Sequence, residues 1–212
     1  MDLVLATTNP DKQKELLALL EDVGYRIYTR DAFPDAPVIE EDRASCEANA
    51  RKKALALAQH TGCLALADDT GLEVEVLGGR PGALAARYAG ENATYEANWR
   101  KLLDDLRGVP RSQRIARFRT VVAVADPTVP AGPIVETVEG VLDGWIAETP
   151  SGRHGFGYDP IFVVPELGKT LAELTLEEKN RVSHRARALS KAKALLQAKM
   201  DTCRISGRSA AR

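Results

Sequence analysis

Two adjacent carboxylates, Asp68 and Asp69, are the residues of this chain whose type and position most favour chemistry. They follow an apolar run at residues 63–67, which is typical of a buried strand, and Thr70 and Gly71 after them predict a turn. Buried carboxylates are unfavourable unless a metal ion, backbone donors or a basic side chain compensates the lost hydration. Because strand neighbours face opposite sides, only one of the two needs to face a cleft. A metal or general-base site and a turn capped by its own backbone both fit this pattern.

A second candidate site is the polar segment at residues 7–12. It lies between a predicted strand at residues 2–8 and a predicted helix over residues 10–23, with Asn9 as the N-cap and Pro10 in the first turn. Free N–H groups and the helix dipole at such a junction suit a phosphate group. The segment has no glycine, so it is not a P-loop, and a simple capped turn is the alternative interpretation.

The elements that position these residues predict a mixed α/β fold. Three further helices are expected at residues 45–60, 95–106 and 184–200, with a short one at residues 169–174. Strands are expected at residues 25–29, 115–125, 134–141, 145–147 and 161–164. We find no repeat or linker, so residues 1–200 are predicted to form a single domain with a cleft, followed by a disordered tail at residues 201–212.

Composition excludes several classes of partner. The formal net charge is −1, so no overall positive field would attract nucleic acid. No apolar run reaches the roughly 18 residues of a membrane span. The three cysteines are far apart, which favours a reducing compartment and a cytoplasmic location. No zinc-type spacing is present, so we expect any metal to be a hard cation held by oxygen ligands.

Four motifs in order resemble one family. They are residues 6–12, residues 67–72 with the glycine-rich residues 78–82, residues 155–160, and Ser183-His184-Arg185. Together they closely resemble the inosine/xanthosine triphosphate pyrophosphatase family over roughly residues 1–200. The resemblance implies an elongated mixed sheet flanked by helices, with two lobes around a central cleft, and a homodimer. It also implies Mg²⁺-dependent hydrolysis of non-standard purine nucleoside triphosphates (ITP, dITP, XTP) to the monophosphate and pyrophosphate.

The resemblance also implies a role for individual residues. Asp69 would be the general base and a metal ligand, and Glu40 would be the second metal ligand, although Glu41 is an open alternative. The triphosphate would be bound by Thr7, Thr8, Asn9, Pro10, Asp11 and Lys12. The rest of the nucleotide would contact Thr70, Phe156, Gly157, Tyr158, Asp159, Lys179, His184 and Arg185.

The chemistry of these side chains is consistent with the implied roles and suggests a role for Arg185 in substrate selectivity. Arginine is only a donor, so Arg185 aimed at the purine 6-position would favour a 6-oxo group over the 6-amino group of adenine. Two alternatives remain: a related Maf-type pyrophosphatase, whose opening motif differs from residues 8–12, and a nucleotide sensor that lacks catalysis. The carboxylates Asp68, Asp69 and Glu40 disfavour a sensor.

Overall fold

One mixed sheet of eight strands, with helices on its faces, organises the chain. The computed structural model describes residues 1–39 and 45–209, with side chains through residue 202. In chain order the elements are β1 (Asp2–Leu5), α1 (Pro10–Leu19), β2 (Arg26–Thr29), α2 (Cys46–Thr61), β3 (Leu64–Val74), β4 (Pro81–Gly82), α3 (Tyr95–Asp105), β5 (Ile115–Asp126), β6 (Ile134–Ile146), β7 (Phe162–Val164), β8 (Lys169–Thr170), α4 (Leu176–Val182) and α5 (His184–Ser209).

The sheet changes from parallel to antiparallel at its centre. The strand order is β2-β1-β3-β5-β6-β7-β8, and the short β4 pairs with β3 outside this path. β1 is parallel to both β2 and β3, whereas β5 to β8 continue as antiparallel neighbours. The predicted mixed sheet flanked by helices is therefore confirmed.

The alternation of side chains along β3 divides the core into two faces. Leu64 and Leu66 pack in one cluster with residues of α1 and α5, whereas Ala65 and Ala67 pack in another with residues of α2. A third cluster fills the other half of the sheet and joins β5 to β7 with α3. The same alternation decides where the polar residues after Ala67 point.

The predicted turn at Thr70 and Gly71 is wrong, because β3 continues through both residues to Val74. Every residue from Ala65 to Val74 has a partner on β5, so the ladder holds this segment extended in spite of its turn-forming composition. Gly71 is needed for packing here: an added Cβ would lie 3.0 Å from the carbonyl oxygen of Gly82 and 3.1 Å from Cys46 Sγ. The carboxylates therefore lie within a strand and not at its end.

Other boundaries also differ from prediction, and the short helix expected at residues 169–174 is wrong, because Lys169–Thr170 form β8 and Leu171–Glu173 form a 3-10 turn. β6 is one strand and not two, and it pairs with β5 from Ile134 to Trp145. α1 ends at Leu19, earlier than the predicted residue 23, because Leu20 already leaves the helical conformation. α5 continues through Ser209, beyond the predicted end at residue 200, and no proline interrupts it. Among the described residues no helix is long and apolar enough to cross a membrane.

Candidate active site

A gap beside β3 opens the cleft. β1 ends at Leu5, opposite Leu66, and β4 begins only at the partner of Leu72 and Glu73. Between these points β3 pairs with β5 on one edge, and no strand of the described chain covers the other edge. A cleft of about 310 Å³ lies here. Strand geometry thus places Asp69 and Thr70 on the floor of a cavity.

The cleft brings together most of the predicted site. Its lining includes Thr7, Thr8, Asn9, Lys12, Asp69, Thr70, Phe156, Gly157, Tyr158, Asp159, Lys179, His184 and Arg185. The predicted residues Pro10 and Asp11 do not line it. Glu40 and Glu41, the candidates for the second metal ligand, lie outside the described residues.

Asp69 faces α2. Its Oδ1 lies 3.1 Å from Lys53 Nζ, and Asn49 Nδ2 donates to its Oδ2 at 3.4 Å. Lys53 Nζ also donates to the backbone oxygen of Asp68 at 2.8 Å. Asn49 and Lys53 are four residues apart on α2, so both side chains reach the strand from one helical face. A buried carboxylate with a lysine and an amide at its side can orient or deprotonate a water molecule in the cleft.

Asp68 faces the opposite side and is held by two basic residues. Arg185 donates to its Oδ2 from Nε at 3.1 Å and from Nη2 at 3.0 Å, and Lys12 Nζ lies 3.3 Å from the same oxygen. Burial alone would raise the pKa of Asp68, but the charges of Lys12 and Arg185 outweigh it and hold the pKa well below its usual range. Asp68 is thus ionised and locked into the scaffold.

The ionic cluster continues to Glu15 on α1. Its carboxylate pairs with Arg185 Nη1 and, at 2.7 Å, with Lys179 Nζ. Lys179 Nζ also pairs with Asp159, whose carboxylate accepts from the N–H of Phe156 at 2.8 Å. Burial opposes ionisation of Glu15, but the charges of Arg185 and Lys179 win and lower its pKa. These buried charges pair with one another and join α1, α4 and α5 to the segment at residues 155–160.

Arg185 has little capacity left for substrate. Four of its five N–H groups have partners: Nε and Nη2 donate to Asp68, Nη1 to Glu15, and Nη2 also to Thr70 Oγ1 at 3.2 Å. The side chain is fully buried, and its carboxylate neighbours raise its pKa despite desolvation. Arg185 therefore has at most one N–H group left for the predicted contact with the purine 6-position.

Phe156 offers an aromatic face to the cleft. Lys179 Nζ lies 4.8 Å and the Arg185 guanidinium 5.5 Å from its ring centroid, and the Tyr95 ring lies 5.7 Å away. Gly155 makes this loop possible: its φ is +71°, and an added Cβ would lie 2.0 Å from Asp159 Oδ2. An aromatic ring beside fixed cations suits stacking of a nucleobase.

His184 begins α5 at the back of the cleft. Its ring stacks on Phe118 with centroids 4.5 Å apart, and its Nδ1 lies 2.6 Å from Thr120 Oγ1. Burial, together with the charges of Arg185 and Lys179, lowers the pKa of His184 well below its ordinary value, so the ring is neutral. Gly140 on β6 permits this placement, because an added Cβ would lie 2.2 Å from the His184 carbonyl oxygen.

The N-terminus of α1 differs from the predicted open phosphate site. Asn9 Oδ1 accepts from the N–H groups of Asp11 at 2.9 Å and Lys12 at 3.2 Å, and the N–H of Gln13 donates to the Asn9 carbonyl. The helix end is therefore already capped by its own side chain. The charge available to a phosphate here comes from Lys12, while Tyr95 OH bonds to Asn9 Nδ2 at 2.8 Å and to Asp11 Oδ2 at 3.2 Å across the cleft mouth.

Sequence reasoning missed five residues of the site. They are Glu15, Asn49, Lys53, Tyr95 and Thr120. Three carried a signal: Asn49 and Lys53 share a helical face, and Glu15 lies beside the core residue Leu16 although it is charged. Thr120 carried none, since a threonine in a β-prone run is ordinary.

Only part of the predicted metal site lies within the described residues. No group of three or more His, Cys, Asp or Glu side chains that could hold a metal occurs in residues 1–39 and 45–202. The donors that are present are carboxylates, which suit a hard cation, and Asp68 Oδ1 is buried with no hydrogen-bond partner among the described atoms. Asp69, the carboxylate that lines the cleft, is the kind of oxygen donor that a hard divalent ion takes.

Comparisons with known proteins agree with this geometry. A model of the Ham1 family matches residues 3–195. Relatives named dITP/XTP pyrophosphatase include one from Desulforamulus reducens, 50% identical over 92% of this chain and 96% of its own length, and one from Bacillus subtilis, 47% identical over 92% and 96%. A solved Ham1 structure from Coxiella burnetii is 39% identical, has a TM-score of 0.83, and covers 93% of this chain and 99% of its own. The Ham1 protein of Staphylococcus aureus gives a TM-score of 0.82 at 36% identity, with 94% and 100% covered. This chain belongs to the Ham1 family.

Proposed function

We propose that this protein hydrolyses dITP, XTP and related purine nucleoside triphosphates to the monophosphate and pyrophosphate, and so removes them from the nucleotide pool. The observation that carries the proposal is the cleft, whose lining combines Asp69 and Lys12 with Phe156, Lys179 and His184. The carboxylate and Lys12 suit a water molecule and a triphosphate, and the aromatic ring and its neighbours suit a purine base. Relatives that share about half of its residues bear the matching name.

The reaction breaks the bond between the α-phosphorus and the oxygen that leaves with pyrophosphate. It needs an in-line water molecule, a carboxylate that orients or deprotonates this water, and positive charge on the phosphates. Asp69 is the proposed base. Lys53 Nζ lies 3.1 Å from Asp69 Oδ1 and holds this carboxylate in position. Lys12 supplies positive charge to the phosphates locally, because the chain as a whole carries no net positive charge.

We propose Mg²⁺ as the cofactor, with Asp69 and the carboxylate of Glu40 as its ligands from the protein. When bound, it would neutralise charge on the phosphate oxygens of the leaving group. The carboxylate donors at β3 support this choice of a hard cation.

The proposed binding roles divide the cleft between phosphate and base. Thr7, Thr8, Asn9 and Lys12 meet the triphosphate, although the cap at Asn9 leaves the helix N–H groups of Asp11 and Lys12 already bonded. Phe156 stacks on the base, and Lys179 and His184 lie beside it. We further propose that residues 1–200 act as one unit, that two copies associate as a homodimer, and that the enzyme works in the cytoplasm without nucleic acid or membrane partners.

The test is product analysis on the purified protein. dITP, XTP, ATP and GTP are supplied with Mg²⁺, and again with the metal removed by a chelator. We expect pyrophosphate and the monophosphate from dITP and XTP, far less from ATP and GTP, and no turnover without metal. Release of orthophosphate and a diphosphate would place the attack at the terminal phosphorus and contradict the proposal. Tight binding of dITP without any release would instead indicate a sensor.

A further inference from the structure

A chain of hydrogen bonds runs beneath the cleft through a residue that no prediction included. Thr120 Oγ1, on β5 and fully buried, lies 2.7 Å from Thr70 Oγ1 and 2.6 Å from His184 Nδ1. Thr70 Oγ1 in turn accepts from Arg185 Nη2 at 3.2 Å. The chain therefore connects a permanently charged guanidinium to one nitrogen of the histidine ring.

Counting donors favours one direction for this chain. Arginine only donates, so Thr70 Oγ1 accepts at that contact. If Thr120 also donated to Thr70, the Thr70 hydroxyl hydrogen would have to point into the cleft that Thr70 lines, because no third acceptor is found among the described residues. If Thr70 donates to Thr120 and Thr120 donates to His184 Nδ1, every group is used. Donation that points away from the positive charge is also the cooperative arrangement.

The ring that receives this bond is neutral and fixed in orientation. His184 is fully buried and loses a proton easily because Arg185 and Lys179 lie close to it, so its ring carries a single N–H. Phe118, two residues from Thr120 on the same face of β5, stacks on the ring at an interplanar angle of 24°. With Nδ1 as an acceptor, the hydrogen is on Nε2, which has no partner among the described residues although the ring lines the cleft.

We propose that Thr120 is a positioning residue that holds His184 in the Nε2–H tautomer and thereby makes the histidine a hydrogen-bond donor to the substrate base. A 6-oxo purine presents an acceptor at the 6-position, whereas adenine presents an amino donor there. The Nε2–H tautomer matches the first and opposes the second, while the other tautomer would reverse this preference. The selectivity part rests on the proposed function; the tautomer part does not.

The tautomer is measured directly by nitrogen NMR of the histidine rings in the free protein. The chain has three histidines, so the spectrum is simple, and His184 is assigned by its loss in His184→Gln. We expect the wild-type ring in the Nε2–H form. Thr120→Val removes the hydroxyl at nearly constant shape, and Thr120→Ser retains it. The valine variant should show a mixture of tautomers or the Nδ1–H form, and the serine variant should match the wild type.

The selectivity part is measured as the ratio of kcat/KM for dITP to that for ATP. We expect the ratio to fall about tenfold or more in Thr120→Val, because a donor is then replaced by an unmatched acceptor, and to stay close to wild type in Thr120→Ser. A wild-type ring in the Nδ1–H form would overturn the proposal even if the valine variant failed to fold. An unchanged tautomer or an unchanged ratio in a folded valine variant would also overturn it. Absence of dITP hydrolysis in the wild type would refute the proposed function and leave the NMR result to decide the tautomer.

Discussion

On the side of β3 that faces α1 and α5, Asp68 is enclosed by Arg185 and Lys12 within a cluster that extends to Glu15. On the side that faces α2, its neighbour Asp69 meets a lysine and an amide and lines the cleft. The two carboxylates have the same chemistry and adjacent positions. Strand alternation turns one of them into the ionic cluster and turns the other toward α2 and the cleft, where we propose that it acts as the base.

Of the variants that test this difference between the two carboxylates, Asp69→Asn is expected to have the largest effect, and that effect is on turnover. The change keeps the shape but removes the charge that a base and a metal ligand both need, so we expect kcat to fall about 10²- to 10⁴-fold. Pyrophosphate release from dITP with saturating Mg²⁺ is the measurement, and the denaturant midpoint is followed as well, because the change also removes the charge that pairs with Lys53. A variant that keeps a tenth of the wild-type kcat would remove Asp69 from the proposed mechanism.

Asp68→Asn should mainly lower the free energy of unfolding, whereas Asp69→Asn should mainly lower kcat. Removal of one partner from a buried charge pair leaves Arg185 poorly compensated, and such losses are about 3–5 kcal/mol. The free energy of unfolding from denaturant titration measures this, with Asp69→Asn as the matched control. If both variants were equally stable and equally inactive, the assignment of separate roles to the two faces would fail.

Lys12→Ala should give the smallest of the three effects. It tests whether Lys12 both pairs with Asp68 and binds the triphosphate. Its Nζ contacts Asp68 but also lines the cleft. We expect binding of dITP to weaken about tenfold to a hundredfold, since a charged hydrogen bond is worth about 1.5–3 kcal/mol, and binding of the monophosphate to change little.

Affinities for this comparison are best measured in the Asp69→Asn background, which prevents turnover. Lys14→Ala is the control, because Lys14 is an exposed lysine on the same helix. Equal losses for triphosphate and monophosphate would place Lys12 away from the β- and γ-phosphates.

Local periodicity and caps in the sequence were sufficient to predict the mixed sheet and the longer helices, and the resemblance to a family supplied most of the cleft lining. The sequence was misleading at Thr70 and Gly71, where turn-forming residues stay extended because β5 pairs along the whole segment. It could not reveal that Arg185 is occupied by Asp68 and Glu15, which are 117 and 170 residues away in sequence. Such contacts depend on tertiary structure, which the local pattern around each residue does not encode.

These long separations also determine when the cleft can exist during synthesis. Glu15 and Asp68 emerge early, but the arginine that neutralises both belongs to the last helix of the chain. A nascent or truncated chain without α5 would have to bury two carboxylates without their strongest partner, or leave that region open. We therefore expect a chain that lacks α5 to leave this ionic cluster and the core around it open, which would make it more accessible to proteases.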